Sequence, residues 1–186
     1  MRRPLPHWSH YLGLKANSSR DEKMAETLNI QALDPYFKDE VAQEPGCEHL
    51  LRCFSCGVCT ATCPVSEIEP SFSPSRIIRQ VLYGLREPLL SSPTLWYCAC
   101  CANCSFQCPQ DVRFLDIIQG LRNLAIRTGM IDEERAAQLA RGEQLIQELR
   151  RRFIARVISA SPEDLDLRAI LVQLASELDF ATEKET

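Results

Sequence analysis

A mainly α-helical fold, tied together by metal rather than by strand pairing, is predicted by three observations. A block of four cysteines occurs twice at one spacing, Cys53-x2-Cys56-x2-Cys59-x3-Cys63-Pro64 and Cys98-x2-Cys101-x2-Cys104-x3-Cys108-Pro109. The segments between and after the blocks carry apolar residues at helical spacing. Nowhere does a convincing run of strict apolar–polar alternation mark a strand.

Composition narrows the class. The chain has 186 residues, 45% hydrophobic and 25% charged, as in folded soluble proteins and unlike disordered ones. A net charge of −4, with no basic stripe interleaved with aromatics, argues against nucleic acid as a partner. Apolar stretches are short and broken by polar residues, as at Arg79-Gln80, so no membrane span is expected. Arg2-Arg3 is not followed by the apolar segment of an export signal. A cytoplasmic location is therefore expected. Thiols stay reduced there, so ten cysteines point to metal rather than to disulfides.

The spacing identifies the metal. Three cysteines at x2 steps let one loop wrap three corners of a cubane cluster. The fourth, three residues on and followed by proline, is carried away from that loop, and in two-cluster ferredoxins it ligates the other cluster. Cys53, Cys56, Cys59 and Cys108 are thus expected to hold one [4Fe–4S] cluster, and Cys98, Cys101, Cys104 and Cys63 the second. The crossing joins the two halves of the fold and brings the clusters within reach of one electron. Structural zinc fits poorly, because such sites use separated cysteine pairs, often with histidine. His7, His10 and His49 all lie outside the blocks. All eight motif cysteines are used as ligands, so both clusters are closed to substrate, and the chain reads as a non-catalytic carrier. Cys47 and Cys100 remain. Cys100 aligns with Ser55 of the first block and is expected to pack near the cluster as a small apolar residue, the alternative being a redox or backup-ligand role. Cys47 reads as a spare core thiol. Arg52, Arg76 and Arg113 lie near the blocks in sequence, either as solvated helix residues or as cations that raise a cluster's potential.

The elements follow in order. Residues 1–33 are polar and read as an arm that orders on a partner. Residues 34–130 form the cluster domain. The 34 residues between Cys63 and Cys98 are too many for a hairpin and read as helix. Ser73-Pro74 supplies an N-cap and a first-turn proline, and Ile77, Ile78, Val81, Leu82 and Leu85 follow, with Gly84 near the end. Ser92-Pro93 repeats the start signal. Asp111 is expected to cap a helix carrying Val112, Leu115, Ile118, Leu121, Leu124 and Ala125, which Gly129 stops. Together these predict an α-helical ferredoxin core. Residues 131–186 form a helical extension. Asp132 starts a helix over 132–158 with Ala136, Leu139, Leu145, Leu149, Phe153 and Val157 as an apolar stripe, and Ser161-Pro162 starts another to about residue 178. The stripe suits either the core or a docked partner.

The stretch from Asp34 to Asp116 resembles the C subunit of heterodisulfide reductase and its homologues. The likeness lies in DPYFKDEV, CFSCGVCTATCPV, SPSRIIRQVLYGLRE, SSPTLWYCACCANCSFQCPQDV and FLDIIQGLRNLAI. It covers about half the chain. A wider relation exists to the iron–sulfur subunits of succinate and glycerol-3-phosphate dehydrogenases, which usually carry further cysteine motifs or domains. The resemblance implies a relay subunit. An A-type, flavin-containing iron–sulfur partner would feed electrons through the two clusters to a B-type, catalytic partner with CCG motifs, within an obligate hetero-oligomer. The alternative is the iron–sulfur subunit of another flavin-dependent dehydrogenase or of an electron-bifurcating complex. Here Cys100-Cys101-Ala102 replaces Cys-Cys-Gly, so the chemistry of the B-type partner is not expected in this chain.

Overall fold

The computed structural model describes residues 30–161 and 165–177, and every element among them is helical. The polar arm read from the sequence falls almost wholly outside these residues. The α-helices are α1 (Phe37–Ala42), α2 (Val58–Ala61), α3 (Pro64–Ile68), α4 (Pro74–Leu82), α5 (Arg86–Leu90), α6 (Asn103–Phe106), α7 (Phe114–Arg127), α8 (Glu133–Ser159) and α9 (Leu167–Glu177). Short 3-10 turns precede both cysteine blocks, at Leu50–Arg52 and Pro93–Trp96.

The core is built where α1, α4, α5 and α7 meet. Ile77, Ile78 and Val81 recur on one face of α4, and Ile117, Ile118, Leu121, Leu124 and Ala125 on one face of α7. They close on Phe37, Val41, Leu50, Phe72, Leu89, Leu90 and Leu95, all almost fully buried. Cys47 is fully buried beside α7. A Cβ on Gly120 would come within 3.0 Å of the Cys47 sulfur, so the helix approaches this thiol as closely as glycine allows. Arg86 ties α1 to α5 by ion pairs with Glu40 and Asp34, while its guanidinium lies 5.4 Å from the centre of the Phe37 ring.

The helix ends follow the expected chemistry with three exceptions. Ser73 caps α4 by accepting from the Arg76 N–H, and Asp132 caps α8 by accepting from the Arg135 N–H at 2.7 Å. Helix α4 stops at Leu82 rather than running through Leu85, because Gly84 turns left-handed at φ +78°. Asp111 does not cap α7. The helix starts at Phe114, and Asp111 and Arg113 both sit at positive φ in the turn before it, joined by a 3.2 Å bond from Arg113 Nε. Asp111 also meets His49 Nδ1, so its carboxylate closes that turn rather than capping the helix. Nor does Ser161-Pro162 start α9, which begins at Leu167. There the Asp166 carboxylate accepts from the Arg168 and Ala169 N–H groups, both at 3.0 Å. Pro162 lies outside the described residues.

Helix α8 buries none of its residues, and α9 packs along it with Leu174 turned inward. Among the described residues the apolar stripe of α8 is thus not core. Of its residues Leu139 and Leu145 are exposed, while Leu149, Phe153 and Val157 are half-buried.

Gly84 offers a test of the backbone reading. A Cβ there would sit 2.2 Å from the Asp34 carbonyl oxygen, whereas one on Gly57, also at positive φ, would meet nothing within 4 Å. Gly57→Ala should therefore cost only the left-handed strain, about 1–2 kcal/mol. Gly84→Ala adds a clash with main chain and should cost about 3 kcal/mol or more. Urea unfolding followed by far-UV circular dichroism would measure both, and equal midpoints would contradict the clash.

Candidate metal centre: two cysteine-lined cavities

The two cysteine blocks fold alike. Ser55 and Cys100 occupy matching positions in the repeat and have φ of 59° and 52°; Gly57 and Ala102 also match, at 82° and 62°. The short helices α2 and α6 start at matching residues, Val58 and Asn103, and lie against each other. Two such left-handed residues in each block bend the chain tightly enough to set three cysteines around one space. Only Gly57 adopts this conformation without strain, so Ser55, Cys100 and Ala102 each hold a bend that costs about 1–2 kcal/mol.

Each loop faces a cavity. The first is lined by Cys53, Cys56 and Cys59 together with Cys108 from the other block. The second is lined by Cys98, Cys101 and Cys104 together with Cys63. The fourth cysteine of each block thus lies at the cavity of the other. Cys104 and Phe114 border both cavities and form the wall between them. Phe114, the first residue of α7, is held edge-on against Phe72 at 6.4 Å.

The donor set fits an iron–sulfur cluster. Both linings are sulfur and hydrocarbon, with Ile78 and Val112 at the first and Val65 and Phe72 at the second. An apolar shell of this kind limits solvent access and thereby sets the potential. Among the described residues no three His, Cys, Asp or Glu side chains converge on a point that would hold a single ion. The thiols are spread around a space instead. Main-chain N–H groups already point at sulfur, from Ser55 to Cys53 and from Val112 to Cys108, both at 3.4 Å. The Ser105 hydroxyl lies beside the Cys104 thiol, out of solvent, and opposes the upward pull of burial on it.

Burial pushes the Cys59 and Cys98 thiols up to about 11, and Cys104 also upward. At neutral pH these groups carry protons until a metal displaces them, so loading the site releases protons. The nearby Arg122 charge opposes the effect of burial at Cys98. Cys56 and Cys101, the middle cysteines of the two loops, are exposed.

The two remaining cysteines differ from each other. Cys47 is out of solvent, and burial pushes it up to about 12; it packs as the core thiol the sequence suggested. Cys100 does not pack near the cavities. It is exposed and lies on the side of α7. There Gln119 Nε2 donates to its sulfur at 3.5 Å and Arg122 Nη1 at 3.9 Å. Arg52, Arg76 and Arg113 are exposed, and none lines either cavity. Their exposure fits the solvated reading. Arg122 reaches the second block from 24 residues away, bonding the Cys98 carbonyl, and no local pattern signals that.

Residues 52–113 match the family model of a 4Fe–4S dicluster domain, so [4Fe–4S] clusters are the cofactors of this chain. The chain is 34% identical over 112 residues to the C subunit of the H(2):CoB-CoM heterodisulfide,ferredoxin reductase of Methanothermobacter marburgensis, covering 60% of this chain and 58% of that protein. It is 40% identical over 77 residues to the C 2 iron-sulfur subunit of the CoB--CoM heterodisulfide reductase of Methanocaldococcus jannaschii, or 41% of this chain and 40% of that one. It is 38% identical over 94 residues to the C subunit of the Ferredoxin:CoB-CoM heterodisulfide reductase of Methanosarcina acetivorans, or 50% and 37%. The match thus spans 58% or less of the length of these three relatives. Over its cluster domain the chain is similar to the C subunits of heterodisulfide reductases.

Proposed function

We propose that this chain is the electron-transfer subunit of a heterodisulfide reductase-like complex. It would relay electrons between an A-type, flavin-containing iron–sulfur partner and a B-type, catalytic partner with CCG motifs. One observation carries the reading: two adjacent cavities, each lined by three cysteines of one block and the fourth of the other, share Cys104 and Phe114 as their wall. The [4Fe–4S] clusters supply one-electron carriage when bound.

The residues of the chain do the rest. Cys53, Cys56, Cys59 and Cys108 hold the first cluster, and Cys98, Cys101, Cys104 and Cys63 the second. With four thiolates on each, neither site has a position for substrate, so the chain transfers electrons and leaves chemistry to its partners. Phe114 and Cys104 keep water out of the space between the sites. Exposed Cys56 and Cys101 give each site its own face toward a partner. Reduced thiols and the likeness to its relatives suit the cytoplasm, and no helix among the described residues is long and apolar enough to cross a membrane. Residues 34–130 act as the cluster domain. Residues 131–186 act as the docking extension, because α8 leaves Ile146, Ile154 and Ile158 exposed, a surface suited to a partner.

Thiol labelling tests the ligand sets. In the cluster-loaded protein a maleimide should add once per chain, at Cys100, because Cys47 is buried and the other eight thiols are ligands. An adduct mapped to Cys101 would show that Cys100 is the ligand.

Anaerobic co-purification tests the partners. The tagged full chain should carry with it a flavin-containing polypeptide and one with CCG motifs. A chain truncated after residue 130 should keep its iron and lose at least one of them. A flavoprotein recovered without a CCG partner would favour a different flavin-dependent or bifurcating complex, and recovery of neither would contradict the reading.

A further inference from the structure

Arg122 lies on α7 beneath the chain that leads into the second cysteine block. Its Nε–H donates to the Leu95 carbonyl at 2.8 Å and its Nη2–H to the Cys98 carbonyl at 3.3 Å. Its guanidinium sits 5.3 Å from the centre of the Trp96 ring, and Nη1 is 3.9 Å from the Cys100 sulfur. One planar, permanently charged group thus grips residues 95–100 at four points. The first block has no counterpart. By the repeat, Leu51 stands where Trp96 does, and Leu50 and Cys53 match Leu95 and Cys98. Among the described residues no arginine or lysine bonds that turn, and Arg52 is exposed.

Adding an electron to a cluster makes it more negative. A fixed cation close by stabilises the reduced form more than the oxidised one and so raises the potential. We propose that Arg122 makes the cluster at Cys98, Cys101, Cys104 and Cys63 the higher-potential station of the pair. It is a positioning residue that sets the Cys98 backbone and holds a positive charge behind it. A single electron entering the chain would then rest at the second site. The inference rests on the two-cluster relay proposed above and adds a direction to it.

Redox titration of the full chain followed by EPR tests it, with the second cluster's signal identified through Cys101→Ser. In the parent protein the second cluster should show the higher midpoint. Arg122→Gln should lower that midpoint and leave the first unchanged, shifting the electron partition about tenfold toward the first site, or about 59 mV for one electron. Arg122→Lys keeps the charge but loses the fork and should fall between. Should Arg122→Gln lose iron, Arg122→Lys carries the test, and its second midpoint must still exceed the first. Equal midpoints in the parent protein, or midpoints that move together or not at all in Arg122→Gln, overturn the inference while leaving the relay intact. Parent protein with a single cluster fails the relay itself.

Discussion

Every part of the cluster domain answers to one constraint: four thiols must reach each of two neighbouring sites, and neither loop has four to give. Three x2-spaced cysteines exhaust the reach of one tight turn. The fourth cysteine at each cavity comes from the opposing block, α2 and α6 lie against each other, and the two cavities share the wall of Cys104 and Phe114. The helices around them supply what such a pair of sites needs, an apolar enclosure and a fixed separation. Helices α4 and α7 contribute Ile78 and Phe114, and α7 closes against Cys47 through Gly120. Such an arrangement is held by metal as much as by hydrocarbon, which accounts for a helical fold that manages with such short elements on the cysteine side.

The cluster domain was largely legible in the sequence, because its determinants are local. Cysteine spacing, Ser-Pro helix starts and a 3.6-residue apolar period are all read within a window of a dozen residues. Ser73, Asp132 and the two blocks stand in the structure where those signals lie. The failures share a cause. Asp111 looked like a helix cap but is drawn into a turn by Arg113 and by His49, which lies 62 residues away. Cys100 looked like a small residue packed beside a cluster, but it is exposed on the side of α7. Arg122 was missed altogether, since it acts on carbonyls more than twenty residues distant. Backbone handedness at a non-glycine residue and long-range side-chain bonds leave no periodic trace. The division of labour between the two cavities shows the same limit. The cysteines that line them can be listed from spacing, whereas their unequal surroundings emerge only from tertiary contacts.

The asymmetry has functional weight. Two sites of nearly identical backbone would make a wire without direction. Differences lie in what stands behind each loop: hydrocarbon and serine hydroxyls from α4 at the first site, a guanidinium and an indole at the second. The extension adds a different asymmetry. Helix α8 leaves isoleucines in solvent, packs along α9, and faces Trp96 and Arg122 across an open cleft. A relay needs both kinds of inequality, one to bias the electron and one to orient the partners.

The most direct test of the account is iron, acid-labile sulfide and dithionite-reduced EPR, measured anaerobically on the parent chain and on Cys63→Ala. The account predicts about eight irons and eight sulfides in the parent, with signals broadened by coupling between two close clusters. It further predicts that Cys63→Ala damages the cluster of Cys98, Cys101 and Cys104 and spares the one of Cys53, Cys56 and Cys59. About four irons in the parent, or damage in Cys63→Ala confined to the cluster of its own block, would contradict the crossed pair on which the reading depends.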